Sequence, residues 1–113
     1  MKHNTLANSL LFYKKRASVI KAMGHPGRLF MLEQLRNRER CVCELAEMVE
    51  ADMSTVSKHL ALLKSAGLVK DRKVGLQVFY SLRCPCILDF IGCIEAVLDE
   101  DGKELREARR KQA

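Results

Sequence analysis

The sequence predicts a mainly α chain with one small β-hairpin, and three observations predict it. Apolar residues recur at helical spacing in five separate stretches of the 113 residues. One window, residues 68–82, changes to the two-residue alternation of a strand. The last helical stretch carries a wider apolar band than one small core needs, which predicts that it pairs with a second copy of the chain. At this length one domain, 1–113, is expected.

Residues 5–23 read as a first helix, the N-terminal arm and helix occupying 1–23. Leu6, Leu10, Tyr13, Ala17 and Ile20 follow a four-three rhythm, a seam for packing on another helix. Lys14, Lys15, Arg16 and Lys21 lie off that seam, on a face that is either solvated or set against phosphates. Gly24-His25-Pro26-Gly27 breaks the helix, and His25 there reads as structural. Residues 27–37 form a second helix with Leu29, Phe30, Met31, Leu32 and Leu35 as core, followed by the polar turn Asn37-Arg38-Glu39-Arg40.

A short third helix spans 42–50, with Val42, Leu45, Ala46 and Val49 on one face. The next stretch, Asp52 to Gly67, organises the rest. Asp52 is a good N-cap and Gly67 a good terminator, and Val56, Leu60 and Leu63 recur at helical spacing. Its other face carries Ser54, Thr55, Ser57, Lys58 and His59 near the N-terminal end. Short hydroxyls and a cation there are either a solvated surface or contacts for phosphates and base edges. A short helix, a tight turn and a helix with a polar start make a helix-turn-helix over 42–67.

In 68–82, Leu76, Val78, Tyr80 and Leu82 alternate with Gln77, Phe79 and Ser81, and Val74-Gly75 sits at the turn. Lys70, Arg72 and Lys73 lie toward the tip, so the hairpin is a basic wing able to reach the DNA backbone or minor groove. A final helix spans 86–100, with Ile87, Phe90, Ile91, Ile94, Val97 and Leu98 forming the broad band; a charged tail runs to 113. The whole is a winged helix-turn-helix that dimerises through its first and last helices.

The net charge of +6 is unevenly placed. Residues 1–40 carry +7, 41–63 carry −3, 64–83 carry +4 and 84–113 carry −2. A basic half and an acidic tail point to a polyanion met by one side of the molecule. No window is long and apolar enough for a membrane span, and the start shows no secretory pattern, so a cytoplasmic chain is expected. In that compartment the five cysteines are expected to be reduced, with metal, redox or catalytic roles ahead of a disulfide framework. No phosphate loop, no Cys-x-x-Cys at a βαβ turn and no Ser–His–Asp set is present, which argues against an enzyme.

Ala22 to Leu32, Cys41 to Ala46, Ser54 to Leu60 and Ala66 to Val69, in that order, resemble the ArsR/SmtB family of metal-sensing bacterial repressors. The resemblance covers roughly residues 17–98. It implies a homodimer that binds operator DNA near its own promoter and leaves when a metal or metalloid binds. Met53 stands where many members have a polar residue.

The cysteines form two groups. Thiolates select soft ions, which leaves Zn(II), Cd(II), Pb(II), Cu(I) and trivalent arsenic or antimony open. The resemblance implies trivalent arsenic or antimony first, with Cd(II), Pb(II) or Zn(II) as alternatives and no organic cofactor. Cys84, Cys86 and Cys93 are the first choice for the effector site. Pro85 favours extended geometry at Cys84, so Cys84 and Cys86 can point the same way. Their position resembles that of the aspartate-x-histidine pair of the family's zinc sensors. Cys93 is about 10.5 Å further along an unbroken helix, beyond the roughly 4.6 Å that separates sulfurs on one ion. It therefore ligates within one chain only if the helix begins after Cys86 or bends at Gly92; otherwise it comes from the partner chain or is core.

Cys41 and Cys43 are the second choice, at the place where family arsenic sensors carry Cys-Val-Cys-x-Leu-Cys. Ala46 replaces the third cysteine, and His3 is the arm's only nitrogen donor. On a helix the pair would face about 200° apart, so joint ligation is expected to unwind the first turn. A thiol switch responding to oxidation or persulfide is the alternative reading of the cysteines, with Cys84 and Cys86 able to serve as reactive thiol and resolving partner.

Overall fold

The computed structural model describes residues 2–99 and Arg110. The expected charged tail, apart from Arg110, lies outside the described residues, as does the end of the expected last helix at residue 100. The order is α1 (Lys2–Met23), α2 (Pro26–Gln34), β1 (Arg40–Cys41), α3 (Val42–Val49), α4 (Met53–Ser65), β2 (Val69–Val74), β3 (Gln77–Leu82) and α5 (Ile87–Val97). This is the expected winged helix-turn-helix, with boundary shifts that have local causes.

α2 begins one residue earlier than the spacing suggested, because Pro26 occupies its first turn and the His25 side chain caps it, accepting from the Gly27 N–H at 3.0 Å. α4 opens on Asp52, whose carboxylate accepts from the Thr55 N–H at 2.7 Å. The turn before it uses Glu50 in the left-handed region, φ 55°. Gly67, φ +82°, follows α4, a conformation that penalises any side chain.

The sheet has three strands in the order β1-β3-β2, not the two expected. Arg40 and Cys41 pair antiparallel with Tyr80 and Phe79. The hairpin turn is Gly75-Leu76, one residue later than expected, since Val74 still pairs with Gln77. Gly75 supplies φ +62° there. Leu76, the first apolar residue of the alternating pattern, lies in the turn and is fully exposed at the tip.

The core is built by Met31, Leu32 and Leu35 of α2 and its cap, Leu45 and Ala46 of α3, and Val56, Leu60 and Leu63 of α4, with Leu68, Val69, Tyr80 and Leu82 of the wing. Leu88 is the buried residue of α5, and Ile87 and Ile91 pack partly against the core. Phe30, expected in the core, is exposed on the outer side of α2. The α1 seam behaves as an uncovered surface: Leu10, Tyr13 and Ile20 are each more than half exposed. Phe90, Ile94, Val97 and Leu98 of α5 are exposed as well. Among the described residues no helix is long and apolar enough to cross a membrane.

Candidate DNA-reading surface and thiol pairs

α4 turns Val56, Leu60 and Leu63 fully inward, which fixes the face it shows outside. Thr55, Ser57 and Lys58 lie on that exposed face. Ser54 is exposed too, but its hydroxyl donates to the Asp52 carboxylate at 2.8 Å. The Thr55 N–H bond and the Ser54 hydroxyl together hold Asp52 below the ordinary carboxylate range. The cap stays charged, and the start of the helix is rigid.

His59, expected on the DNA-reading face, is half-buried and turned toward α2. Its Nδ1 accepts from Arg28 at 3.0 Å, and its ring lies 4.5 Å from that of His25. The helical geometry accounts for this: position 59 is three residues after Val56 and four before Leu63, so it sits at the edge of the buried stripe.

On the wing, Lys70 and Lys73 are exposed and reach outward. Arg72 is exposed but engaged. Its guanidinium forms an ion pair with Glu39, in which Nε donates at 2.9 Å, and it lies over the Phe79 ring. The bond from Arg72 holds Glu39 below its ordinary range. Lys64, in the last turn of α4, reaches Asp71 at 3.0 Å and so ties the helix to the wing.

Cys41 and Cys43, expected to be reduced, are joined as a disulfide, with Cα atoms 5.4 Å apart. The expected 200° divergence does not occur because Cys41 precedes the helix: it is the N-cap of α3, extended at φ −77°, ψ 162°. No turn unwinds. The Cys41 sulfur also accepts from the Glu44 N–H, while the Glu44 carboxylate accepts from the Cys41 N–H. Glu44 is further held by Arg38 and Arg40, and its carboxyl sits below its ordinary range chiefly through Arg38. Cys41 is buried and Cys43 exposed. A cavity of about 310 Å³ runs from this pair to Met53 and Ser57 of α4 and Val78 of the wing.

Cys84 and Cys86 come together, sulfur to sulfur at 2.9 Å and both exposed, through a turn closed by the Ile87 N–H on the Cys84 carbonyl and not through the extended segment expected. The shared hydrogen bond with Cys84 pushes the Cys86 thiol up. Cys93 does not join them. Among the described residues no group of three or more His, Cys, Asp or Glu side chains is placed to hold one ion. α5 does open right after Cys86, but Cys86 itself already has helical angles, φ −62°, ψ −13°, so Cys93 is two helical turns away. Cys93 is exposed, not core, and shares a stripe with Phe90, Ile94 and Val97. His3 lies in α1, and its side chain is outside the described residues.

Residues 25–71 match the model of a protein family described as bacterial regulatory protein, arsR family. An HTH-type transcriptional regulator of Methanocaldococcus jannaschii, itself uncharacterized, is 44% identical over 69 residues, 60% of this chain and 78% of that protein. A protein of Synechocystis called a transcriptional repressor SmtB homolog is 41% identical over 69 residues, 61% of this chain and about half (52%) of that protein. Among solved structures, the homodimeric winged helix-turn-helix DNA-binding domain of a possible ArsR-family regulator from Mycobacterium bovis superposes with a TM-score of 0.73. It is 28% identical, covering 85% of this chain and 89% of that one.

Proposed function

The chain belongs to the ArsR family as a winged helix-turn-helix transcriptional repressor, and from that premise we propose that it is a homodimer released from operator DNA by a thiophilic effector. Trivalent arsenic or antimony is the leading class, with Cd(II), Pb(II) or Zn(II) behind it. The observation that carries this reading is the Cys84–Cys86 pair, two exposed sulfurs 2.9 Å apart at the entrance to α5. Two soft donors so close fit a thiophilic centre and no hard cation. Among the described residues no third donor joins this pair within one chain, and the exposure of Cys93 on the uncovered stripe of α5 supports its supply from the partner chain.

Operator contact falls to Thr55, Ser57 and Lys58 in the major groove, Ser54 at the fixed helix start, and Lys70 and Lys73 on the wing. The dimer uses the exposed apolar stripes of α1 and α5, which gives two recognition helices for a two-fold operator. Because the Cys84–Cys86 pair stands at the entrance to α5 and α5 carries the dimer stripe, capture of an effector at Cys84 and Cys86 acts on the spacing of the two α4 helices. That is a coupling between sites in the thermodynamic sense.

A second reading has its own observation, the Cys41–Cys43 disulfide. It would make the chain a thiol redox switch whose oxidised form stiffens the start of α3 beside the recognition helix. One experiment separates the two. The reduced protein is titrated on DNA from upstream of its own reading frame, by fluorescence anisotropy, with arsenite, Cd(II) and Zn(II). Stoichiometric release by one of them supports the first reading. Firm binding that responds to peroxide and not to metals, with loss of two protons in the mass spectrum, supports the second.

A further inference from the structure

The first turn of α2 holds the recognition helix through one imidazole. Arg28 extends from α2 in two directions: its Nε donates to the Ala22 carbonyl at the end of α1 at 2.5 Å, and a terminal nitrogen donates to His59 Nδ1 at 3.0 Å. One guanidinium therefore links three helices. His25 fixes the same corner: its Nδ1 accepts from the Gly27 N–H, and its ring lies against His59 at 4.5 Å and 41°. The charged and titratable groups acting on His59 are His25 and Arg28, while α1 contributes the Ala22 carbonyl through Arg28.

An arginine is a donor only, so the contact requires His59 Nδ1 to be bare. Protonation would place an N–H against N–H groups of a permanent cation, and the bond becomes a repulsion. We propose that Arg28 and His25 are positioning residues for DNA binding, acting through His59, and that only the neutral imidazole holds α4 in its DNA-reading position. Acid then weakens operator binding by freeing α4 from α1 and α2. Burial, His25 and Arg28 all act in the direction that keeps His59 neutral.

The sign makes this testable, and it rests on the repressor reading only for its DNA arm. A histidine near DNA with no positioning role gains charge in acid and binds phosphates better. Operator affinity is measured by anisotropy at constant salt from about pH 8 to about pH 5.5, where one linked proton gives up to about tenfold per pH unit. Wild type is expected to weaken toward acid. His59→Asn, whose amide oxygen accepts from Arg28 and does not titrate, is expected to bind as wild type does at pH 8 and to lose most of that dependence. His59→Ala, lacking the acceptor, is expected to bind several-fold worse at pH 8 even where its circular dichroism is native.

Imidazole NMR of the free chain gives a second arm independent of DNA: Arg28→Gln should raise the His59 titration midpoint. Affinity that rises in acid, a His59→Asn profile parallel to wild type, or a midpoint unmoved by Arg28→Gln would overturn the proposal. Failure to bind DNA at pH 8 would count against the repressor reading instead, leaving the NMR arm to decide this one.

Discussion

Arg72 of β2 is paired with Glu39, the residue before β1, across the central strand β3, where the guanidinium lies over the Phe79 ring. Arg72, Phe79 and Cys41 occupy one row of the sheet. The wing's central cation is thus partly neutralised before DNA arrives. If the pair opens on DNA, Glu39→Gln removes a competing carboxylate. Operator affinity should then rise several-fold, and the slope of log affinity against log salt should steepen by about one. An unchanged slope would mean that Arg72 stays off the phosphates and serves the wing's shape.

Lys58 is the exposed cation of α4 nearest its polar start. Lys58→Ala should weaken binding several-fold, to related and unrelated sequences alike, and flatten the salt slope by about one, since a phosphate contact carries no sequence information. Loss confined to the operator would instead assign Lys58 to a base edge.

The N-cap of the recognition helix should show in acid stability. Asp52 is held below its ordinary range in the folded chain, first by the Thr55 N–H and then by Ser54. A depressed carboxylate contributes stability above its unfolded value and loses it as pH falls through the folded one. Thermal melts from about pH 6 to about pH 2.5 should therefore show wild type losing more stability than Asp52→Asn, which retains an acceptor without a charge. Parallel curves would remove Asp52 from the acid response.

How far the sequence disclosed this arrangement can be traced residue by residue. α4 was readable almost to its ends because its cap, apolar period and glycine terminator all agree. β1 was not, since two residues carry no period and Arg40 and Cys41 become a strand only by pairing with β3. Phe30 looked like core because composition cannot say which side of a short helix meets its neighbours.

Polarity alone points His59 to the outer face, whereas its spacing from Val56 and Leu63 puts it at the stripe's edge. Helical spacing does not give the Cys41–Cys43 geometry, because Cys41 is a cap and only Cys43 is helical. The approach of Cys84 and Cys86 is legible in their spacing but not its route, since the turn that opens α5, and not an extended segment, brings the sulfurs together.

The α1 and α5 stripes predict a dimer that one charge can break. Ile94 lies on the outer face of α5, 38% exposed, while Leu88 of the same helix holds the core. Ile94→Asp should leave the fold intact, shift the chain to monomer in sedimentation velocity, and cost at least tenfold in operator affinity, because two half-sites are no longer bound together. A dimeric Ile94→Asp protein would move the interface off this face.

The two thiol pairs predict separable variants. Cys84→Ser with Cys86→Ser removes exposed sulfurs that lie outside α4 and the wing strands, so DNA affinity should hold while release by the effector disappears. Cys93→Ser should weaken the response rather than abolish it, because its thiol is reached only from another chain or by a rearrangement of α5. Cys43→Ser should leave metalloid release intact but eliminate any peroxide response that runs through the Cys41–Cys43 disulfide, since the Cys41 sulfur then has no partner and remains as the cap of α3. If Cys43→Ser instead abolishes metalloid release and the Cys84/Cys86 variant does not, the effector is sensed at the entrance to α3, beside the recognition helix. The coupling would then run through α3 and α4 and not through the dimer helix.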